Sequence, residues 1–288
     1  MSSSATDVAA RIARLFVYPV KSFAGVEVTE AVLTETGLDL DRAWMVVDDQ
    51  GEFVTQRELP RMALVRPQLK RYEVVLRAPG MLALHLAIDA VEQPVQVKLW
   101  DEVVKAFDMG DVAAQWLSDF LGRKLRLVRF DPDDRHLSSM EWTGGLEVPN
   151  QFSDGFPLLV LGEATLAELN EKLLATGHGA VGIERFRPNI VLAGLQAQDE
   201  DHLDVLRIAD GSEEMRLRMA KPCPRCPIPN IDPATAQIDP QVSDVLQTYR
   251  RNDRLNGAVT FGMNAIVLQG ADQTLRVGQA VTAGWRFD

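Results

Sequence analysis

Both cysteines of the chain lie in one proline-rich stretch, residues 221–233, whose sequence is KPCPRCPIPNIDP. Five of the fifteen prolines of the chain fall within it. Proline fixes φ, removes a backbone donor and restricts the residue before it, so the stretch predicts a stiff, extended loop, neither a helix nor a central strand. A thiol on such a loop has little freedom to collapse into a core. Cys223 and Cys226 are therefore the first candidates for chemistry.

The two thiols allow four interpretations. A structural zinc needs four Cys or His ligands, and the four histidines of the chain show no ligand-like spacing. A redox-active Cys-x-x-Cys pair normally opens a helix, which Pro227 and Pro229 disfavour. Most cysteines in proteins are ordinary buried thiols. Here, however, Arg225 lies between the two and favours a bound anion. One thiolate on a soft metal, beside an arginine that holds an anionic ligand, fits these residue types best.

Other stretches carry basic and amide side chains that suit an anion. Lys21 and Ser22 follow a Tyr-Pro-Val turn, and together they offer a point charge and a hydroxyl to a phosphate. Arg187 and Asn189 bracket a proline before a predicted buried strand. The guanidinium can hold a phosphate through two hydrogen bonds, and the carboxamide has donors and an acceptor for the edge of a heterocycle.

Three further motifs are weaker when each is taken alone. Residues 41–44 (DRAW) combine Arg42 at a strand end with a tryptophan that is predicted to be in the core. Residues 154–157 (DGFP) form a turn whose backbone N–H groups could hold anionic oxygens. Residues 261–264 (FGMN) contain Gly262, which permits a close backbone approach. An exposed arginine and an ordinary turn explain the first two nearly as well.

Six stretches that contain these residues resemble motifs of the MOSC family, the domain found at the C-terminus of molybdenum cofactor sulfurases. The chain is most similar to the amidoxime-reducing branch, in which an N-terminal MOSC-type β-barrel domain precedes the MOSC domain. In that branch an Arg-Cys…Asp-Pro loop supplies one protein thiolate to molybdenum. Residues 225–226 and 232–233 match this pattern. The resemblance implies that Cys226 is both the metal ligand and the catalytic residue.

The same resemblance implies a bound molybdenum cofactor, Mo-molybdopterin, in a cleft between the two domains. Basic, amide and backbone groups from both domains would hold its phosphate and pterin. The implied cofactor-binding residues are Lys21, Ser22, Arg42, Asp154, Gly155, Arg187, Asn189, Pro224, Arg225 and Asn264. Cys223 is expected near the cofactor but not on the metal.

The implied reaction is the two-electron reduction of small N-hydroxylated substrates such as amidoximes, hydroxamates and hydroxylated bases. The alternative is a carrier or transfer module for molybdenum cofactor or sulfur that has no turnover of its own. Two cysteines cannot supply the four ligands of an iron–sulfur cluster in this chain, and no Gly-x-Gly-x-x-Gly motif suggests a dinucleotide site. The expected partner is therefore a separate electron-donor protein of the ferredoxin or cytochrome type, with its reductase.

The composition of the chain argues against several other classes of protein. The formal net charge of −11 argues against a general nucleic-acid-binding surface but allows a local basic pocket. Two cysteines in 288 residues make no disulfide framework, which favours a reducing compartment. No stretch approaches the roughly 20 apolar residues of a membrane helix, and the first ten residues lack the apolar run of a signal peptide. We therefore expect a cytoplasmic protein without a membrane or nucleic-acid partner.

Short alternating or apolar runs between turn residues predict a protein built mainly of strands. The predicted strands span residues 12–20, 26–33, 42–47, 52–56, 72–77, 81–86, 95–100, 103–107, 124–130, 158–161, 190–193, 203–208, 214–219, 259–268 and 274–277. The expected fold is mostly β with peripheral helices (α+β). A β-barrel-like N-terminal domain spans residues 8–125, and a MOSC β-barrel domain spans residues 126–288.

Helices are expected only at the periphery. The predicted helices span residues 111–121, 165–175 and 239–250. Asp111 is the predicted N-cap of the first, and Thr165 and Glu168 have the spacing of a capping box in the second. Residues 131–150 are polar, Gly-rich and aperiodic, so they are predicted to form a long surface loop.

Overall fold

The computed structural model describes residues 7–90, 93–211 and 213–286, and strands dominate it as predicted. The first eleven strands are β1 (Val8–Val17), β2 (Val26–Val28), β3 (Glu30–Thr34), β4 (Gly37–Leu38), β5 (Trp44–Val47), β6 (Arg66–Leu69), β7 (Glu73–Arg77), β8 (Leu84–Ala87), β9 (Gln93–Leu99), β10 (Glu102–Asp108) and β11 (Arg126–Phe130). The others are β12 (His136–Leu137), β13 (Pro149–Asn150), β14 (Leu158–Gly162), β15 (Ile190–Ala193), β16 (Leu203–Asp210), β17 (Glu213–Pro224), β18 (Arg251–Asn252), β19 (Ala258–Gln269), β20 (Thr274–Arg276) and β21 (Ala280–Trp285).

The helices are short and lie outside the sheets. The α-helices are α1 (Gly110–Leu121), α2 (Met140–Thr143), α3 (Glu163–Ala175) and α4 (Gln241–Tyr249). The 3₁₀ helices are Pro60–Leu64, Ile183–Arg185, Asp199–His202, Ile228–Asn230 and Asp253–Leu255. Within the part of the chain that the structure describes, no helix combines the length and the apolar character needed to cross a membrane.

Seven strands close into a barrel in the order β14, β15, β1, β21, β16, β17 and β19, and β19 pairs back to β14. The strand nearest the N-terminus, β1, lies between β15 and β21 and is antiparallel to both. The pair β14–β15 is parallel, with α3 as the crossover between its strands. Inward side chains such as Ile12, Leu206 and Met263 are fully buried and form the barrel core. The pairing of β19 with β14 closes the sheet on itself, and it confirms the predicted β-barrel fold.

A second sheet, in the order β5, β11, β10 and β9, lies beside the barrel, and β6, β7 and β8 form a separate three-stranded sheet. Helix α1 covers part of this region, where Leu117 and Phe120 join a cluster that includes Trp44. Trp44 is fully buried, as the sequence predicted. Strand β11 pairs with β5 and β10, so the chain leaves this sheet only after residue 130.

The first part of the cysteine stretch differs from its prediction. Strand β17 continues to Pro224 and pairs with β19 as far as Thr260, with register irregularities at the prolines. On its other side, β16 pairs with β17 only as far as Arg218. The prolines therefore lie where one edge of the strand is free, and a missing N–H is tolerated there. The prediction of an extended loop was therefore wrong for residues 221–224, which belong to β17, although they are paired on one side only and so do not form a central strand.

Two other local predictions were also wrong. Helix α1 begins at Gly110, with Asp111 inside its first turn, and the Gly110 N–H donates to the Asp108 carboxylate at 2.7 Å. Residues 131–150 are not a plain loop, because β12 and β13 pair with each other and α2 lies between them. The buried side chain of Asn150 accounts for part of this order, because it donates to Ser138 Oγ at 2.7 Å.

A buried carboxyl group, Glu200, stabilises the start of α3. It accepts hydrogen bonds from the Gly162 N–H at 3.0 Å and from the Thr165 hydroxyl at 2.7 Å. Thr165 is therefore engaged by a residue far away in sequence, and the predicted capping box with Glu168 does not form. Burial, together with the neighbouring charge of Asp201, raises the pKa of Glu200 to about 7.

Replacing Glu200 with glutamine is expected to stabilise the protein much more at pH 8 than at pH 5. A carboxyl group with a raised pKa in the folded state loses stabilising free energy as pH rises from about 4.3, its unfolded value, through about 7. Glutamine keeps an oxygen for Gly162 and carries no charge, so the gain approaches about 3 kcal/mol at pH 8. Urea unfolding at both pH values measures this gain, with Glu168→Gln as the control. An equal gain at both pH values would contradict the prediction.

Candidate functional site

A cleft of about 320 Å³ lies between the barrel and the second sheet, and the cysteine stretch forms one of its walls. All eleven site residues proposed from the sequence line it. They are Lys21, Ser22, Arg42, Asp154, Gly155, Arg187, Asn189, Pro224, Arg225, Cys226 and Asn264. Residues that are far apart along the chain therefore meet at one place.

The lining of the cleft is strongly basic. Its six cationic side chains are Lys21, Arg42, Arg57, Arg187, Lys221 and Arg225, and its one carboxylate is Asp154. The whole chain has a net charge of −11, so the positive charge of the cleft is opposite in sign to the charge of the protein as a whole. Like charges repel when they are brought together, and an anionic ligand would relieve that repulsion.

Lys21 lies at the inner end of the cleft, just after β1. Its backbone N–H donates to the Trp44 carbonyl at 2.8 Å, which ties the turn to β5. Its ammonium group donates to the Phe152 carbonyl at 2.7 Å and to the Asp154 carboxylate. Burial lowers the pKa of Lys21, and the charge of Asp154 opposes that shift. Ser22, next in the chain, has a φ of 68°, and this left-handed conformation turns the backbone around the cleft.

Two arginines from separate loops, one before β5 and one before β15, converge on the ring of Tyr18. The guanidinium carbons of Arg42 and Arg187 each lie 4.3 Å from its centroid, within cation–π range. Both arginines have a positive φ, 53° and 60°, which costs an L-residue on the order of 1 kcal/mol or more. Arg187 donates to the Phe23 carbonyl at 2.6 Å. Burial and the charge of Arg42 lower the pKa of Arg187 to about 10.

Asn189 joins three strands beneath this pair of arginines. Its side-chain oxygen accepts from the Leu159 N–H at 3.1 Å and from Arg42 at 3.2 Å. Its amide nitrogen donates to the Phe16 carbonyl at 3.2 Å. The carboxamide is therefore engaged at both ends within the protein, and it positions Arg42 and the start of β14.

The two thiols are free and half-buried. Arg225 donates to Cys223 Sγ at 3.1 Å and to the Phe186 carbonyl at 3.0 Å. Its Nε is buried and has no hydrogen-bond partner within the described residues. A buried donor without a partner costs about 1–3 kcal/mol. Arg225 therefore retains an unused donor next to Cys226.

Several cleft residues escaped the sequence analysis, among them Thr55, Arg57 and Lys221. Thr55 and Arg57 follow the hairpin after β5, and the Arg57 Nε donates to Thr55 Oγ1 at 3.2 Å. No motif surrounds them, so the sequence offers no signal for either. Lys221 opens the cysteine stretch and lies opposite Asn264 in the β17–β19 pair. Its closeness to the two cysteines in the sequence was the only signal that could have pointed to Lys221.

Protein-family models match two successive parts of the chain. Residues 9–124 match the "MOSC N-terminal beta barrel domain", and residues 147–282 match the "MOSC domain". The chain belongs to the MOSC family. The resemblance stated from the sequence is thereby confirmed at the level of the family.

This MOSC protein has relatives of two named kinds. It is 36% identical over 255 residues to "Mitochondrial amidoxime reducing component 2" from Homo sapiens, covering 84% of this chain and 73% of that protein. It is 34% identical over 284 residues to "Mitochondrial amidoxime-reducing component 1" from Mus musculus, covering 94% and 81%. It is 29% identical over 273 residues to "Molybdenum cofactor sulfurase" from Bos taurus, covering 88% of this chain and 30% of that protein.

Proposed function

We propose that this MOSC protein is a molybdenum-cofactor-dependent reductase of small N-hydroxylated compounds, with Cys226 as the one protein ligand of the metal. The observation that carries the proposal is the convergence of six cationic side chains around a free thiol in one cleft. The amidoxime-reducing relatives, which match along most of their length, support the choice of reaction.

The donor set of the cleft fits such a cofactor. Within residues 7–90, 93–211 and 213–286, no three His, Cys, Asp or Glu side chains come together to hold a metal ion. A metal held here must therefore bring most of its ligands with it, and a soft thiolate suits molybdenum bound by the dithiolene of molybdopterin. The unpartnered Nε of Arg225 and the basic lining suit an anionic phosphate.

The residues of the chain would then act by position and charge. Lys21, Arg42 and Arg187 would hold the anionic part of the cofactor, and Arg225 would hold a polar group beside the thiolate. Bound molybdenum supplies the two-electron redox chemistry. For a hydroxylamine the overall change is RNHOH + 2e⁻ + 2H⁺ → RNH₂ + H₂O. Cys226 is half-buried and lines the cleft, so a small substrate in the cleft would lie near a metal held by its sulfur.

The test is to make the protein in a host that synthesises the cofactor. Metal analysis is then combined with reduction of benzamidoxime by reduced viologen. About one molybdenum per chain together with formation of benzamidine supports the proposal. The match to the sulfurase favours a second candidate, a carrier or transfer module for the cofactor or sulfur. Stoichiometric molybdenum without any reduction would select that candidate instead.

The cofactor-loaded protein is expected not to reduce benzamidoxime with NADH or NADPH alone. Two cysteines cannot ligate an iron–sulfur cluster in addition to molybdenum. We therefore propose a separate electron-donor protein of the ferredoxin or cytochrome type. The assay compares benzamidine formation with NADH alone and with reduced viologen. Similar rates from both reductants would contradict the prediction.

A further inference from the structure

A second cavity, of about 480 Å³, adjoins the basic cleft. The two share Arg187 and Ile228 in their walls. Ile231 and Pro233 from the end of the cysteine stretch, together with Val26 from the other side, give the second cavity apolar surface. A molecule that occupies it would therefore lie next to whatever the basic cleft holds.

The charges that line this second cavity are nearly balanced, with three cations, Arg66, Arg185 and Arg187, against the carboxylates of Glu27 and Glu184. Arg14 donates to Glu27 at 2.7 Å and to Glu184 at 3.0 Å, and its single charge offsets one of these two carboxylates. Arg185 donates to the Pro229 carbonyl at 3.2 Å and lies 3.4 Å from the Asp232 carboxylate. The basic cleft has six cationic side chains against one carboxylate, so the second cavity has the smaller surplus of positive charge. It therefore suits a neutral ligand better than the basic cleft does.

One polar side chain in the second cavity stands out because nothing in the protein satisfies it. Gln56 is 4% exposed, and its carboxamide makes no hydrogen bond within the part of the chain that the structure describes. Its neighbours Thr55 and Arg57 line the basic cleft, so this short segment contributes to both cavities. A carboxamide offers two donors and one acceptor. The polar atoms of Gln56 are not fully enclosed by protein, so a ligand in the second cavity can reach them.

We infer that the second cavity binds the non-reacting body of a neutral, flat N-hydroxylated substrate, and that Gln56 hydrogen-bonds to it. This inference rests on the proposed reductase function. Amidoximes, hydroxamic acids and N-hydroxylated bases are uncharged near neutral pH and carry a donor beside an acceptor. Such an edge is complementary to a carboxamide. Arg187 and Ile228 line both cavities, so a substrate whose body lies in the second cavity would extend past them into the basic cleft.

The test uses cofactor-loaded protein and benzamidoxime in the absence of any reductant, so that binding is measured without turnover. Calorimetric titration is expected to show a Kd about five- to tenfold higher for Gln56→Leu than for wild type, because one neutral hydrogen bond is lost. The control is Gln115→Leu, the same change at an exposed position of α1, where the amide donates to Asp119 at 2.6 Å. Its Kd should equal that of wild type.

A second variant distinguishes a true loss of substrate binding from misfolding of the Gln56→Leu protein. Ala24→Leu adds apolar volume at a half-buried position of the same cavity without removing any polar group. It should also raise the Kd for benzamidoxime, and the molybdenum content of both variants should match wild type. Unchanged Kd values in both variants would overturn the inference while leaving the reductase proposal intact.

The cofactor itself offers a rival occupant, because its pterin ring also has a donor–acceptor edge. In that case Gln56→Leu would lose molybdenum and pterin on dialysis, with no specific effect on the Kd of the chains that stay loaded. That outcome would assign the cavity to the cofactor and overturn the inference. Failure of the reductase proposal looks different, since wild-type protein would then neither retain molybdenum nor reduce benzamidoxime.

Discussion

Cys226→Ala is expected to abolish benzamidoxime reduction while leaving the fold intact. Loss of a partner that only orients a metal ligand typically lowers activity by roughly 10- to 100-fold, and loss of the ligand itself should exceed that. The side chain is half-buried and belongs to none of the hydrophobic clusters among the described residues, so its truncation removes little packing. Viologen-linked reduction and the thermal unfolding midpoint measure the two halves of the prediction.

Cys223→Ala is the matched comparison for this variant. Cys223 accepts a hydrogen bond from Arg225, and its loss is worth on the order of 1 kcal/mol, about tenfold in rate at most. Cys226→Ser adds a second comparison, because it keeps the size of the side chain but replaces the soft sulfur with a hard oxygen. It should be as inactive as alanine. Reduction by Cys226→Ala at the wild-type rate would remove Cys226 from the metal.

Arg187→Met is expected to lower cofactor occupancy strongly without destabilising the cofactor-free protein. A charge-assisted contact to a phosphate is worth about 1.5–3 kcal/mol, so affinity for the cofactor should fall roughly tenfold to a hundredfold. In the cofactor-free protein, burial and the charge of Arg42 already disfavour the guanidinium cation, as its lowered pKa of about 10 indicates. Removing that cation relieves repulsion and offsets the lost hydrogen bond to Phe23.

The matched control is Arg126→Met, outside the cleft. Arg126 donates to Asp108 at 2.8 Å and to Asp111 at 3.0 Å, so its loss should lower stability slightly and leave occupancy unchanged. We therefore expect Arg187→Met to lose cofactor without losing stability, and Arg126→Met to lose some stability without losing cofactor. Molybdenum content after dialysis and the unfolding midpoint of cofactor-free protein are measured for both. Full molybdenum retention in Arg187→Met would show that the anion is held elsewhere.

Local sequence signals located the strands better than their ends. The prediction for residues 12–20 found the first strand, but the structure places it at Val8–Val17. Apolar periodicity shows that a strand exists, whereas its ends depend on the partners β15 and β21, which lie far away in sequence. Asp111 was taken for a cap, but α1 begins one residue earlier, where the Gly110 N–H donates to the nearby Asp108 carboxylate.

In the candidate site, too, some residues could be proposed from the sequence and others could be found only from the fold. Motifs that contain Lys21, Arg187 and Cys226 pointed to residues that the structure places in one cleft, because a charged or thiol side chain next to prolines and glycines is recognisable locally. Arg57 and Gln56 carry no such signal, and only the fold brings them to the two cavities. The proline-rich stretch was correctly singled out, but its pairing with β19 depended on a neighbour that the local sequence does not reveal.

By itself, the sequence determined the family, the predominance of strands and the residue types that favour an anion beside a thiol. These properties depend on side-chain chemistry and on short-range periodicity, and both can be recognised in short stretches of sequence. Only the tertiary structure decided that β1 completes the barrel, that two arginines meet on the ring of Tyr18, and that Gln56 lines a second cavity. Those properties arise from contacts between distant segments, whose geometry is fixed by barrel closure and packing rather than by any one stretch of sequence.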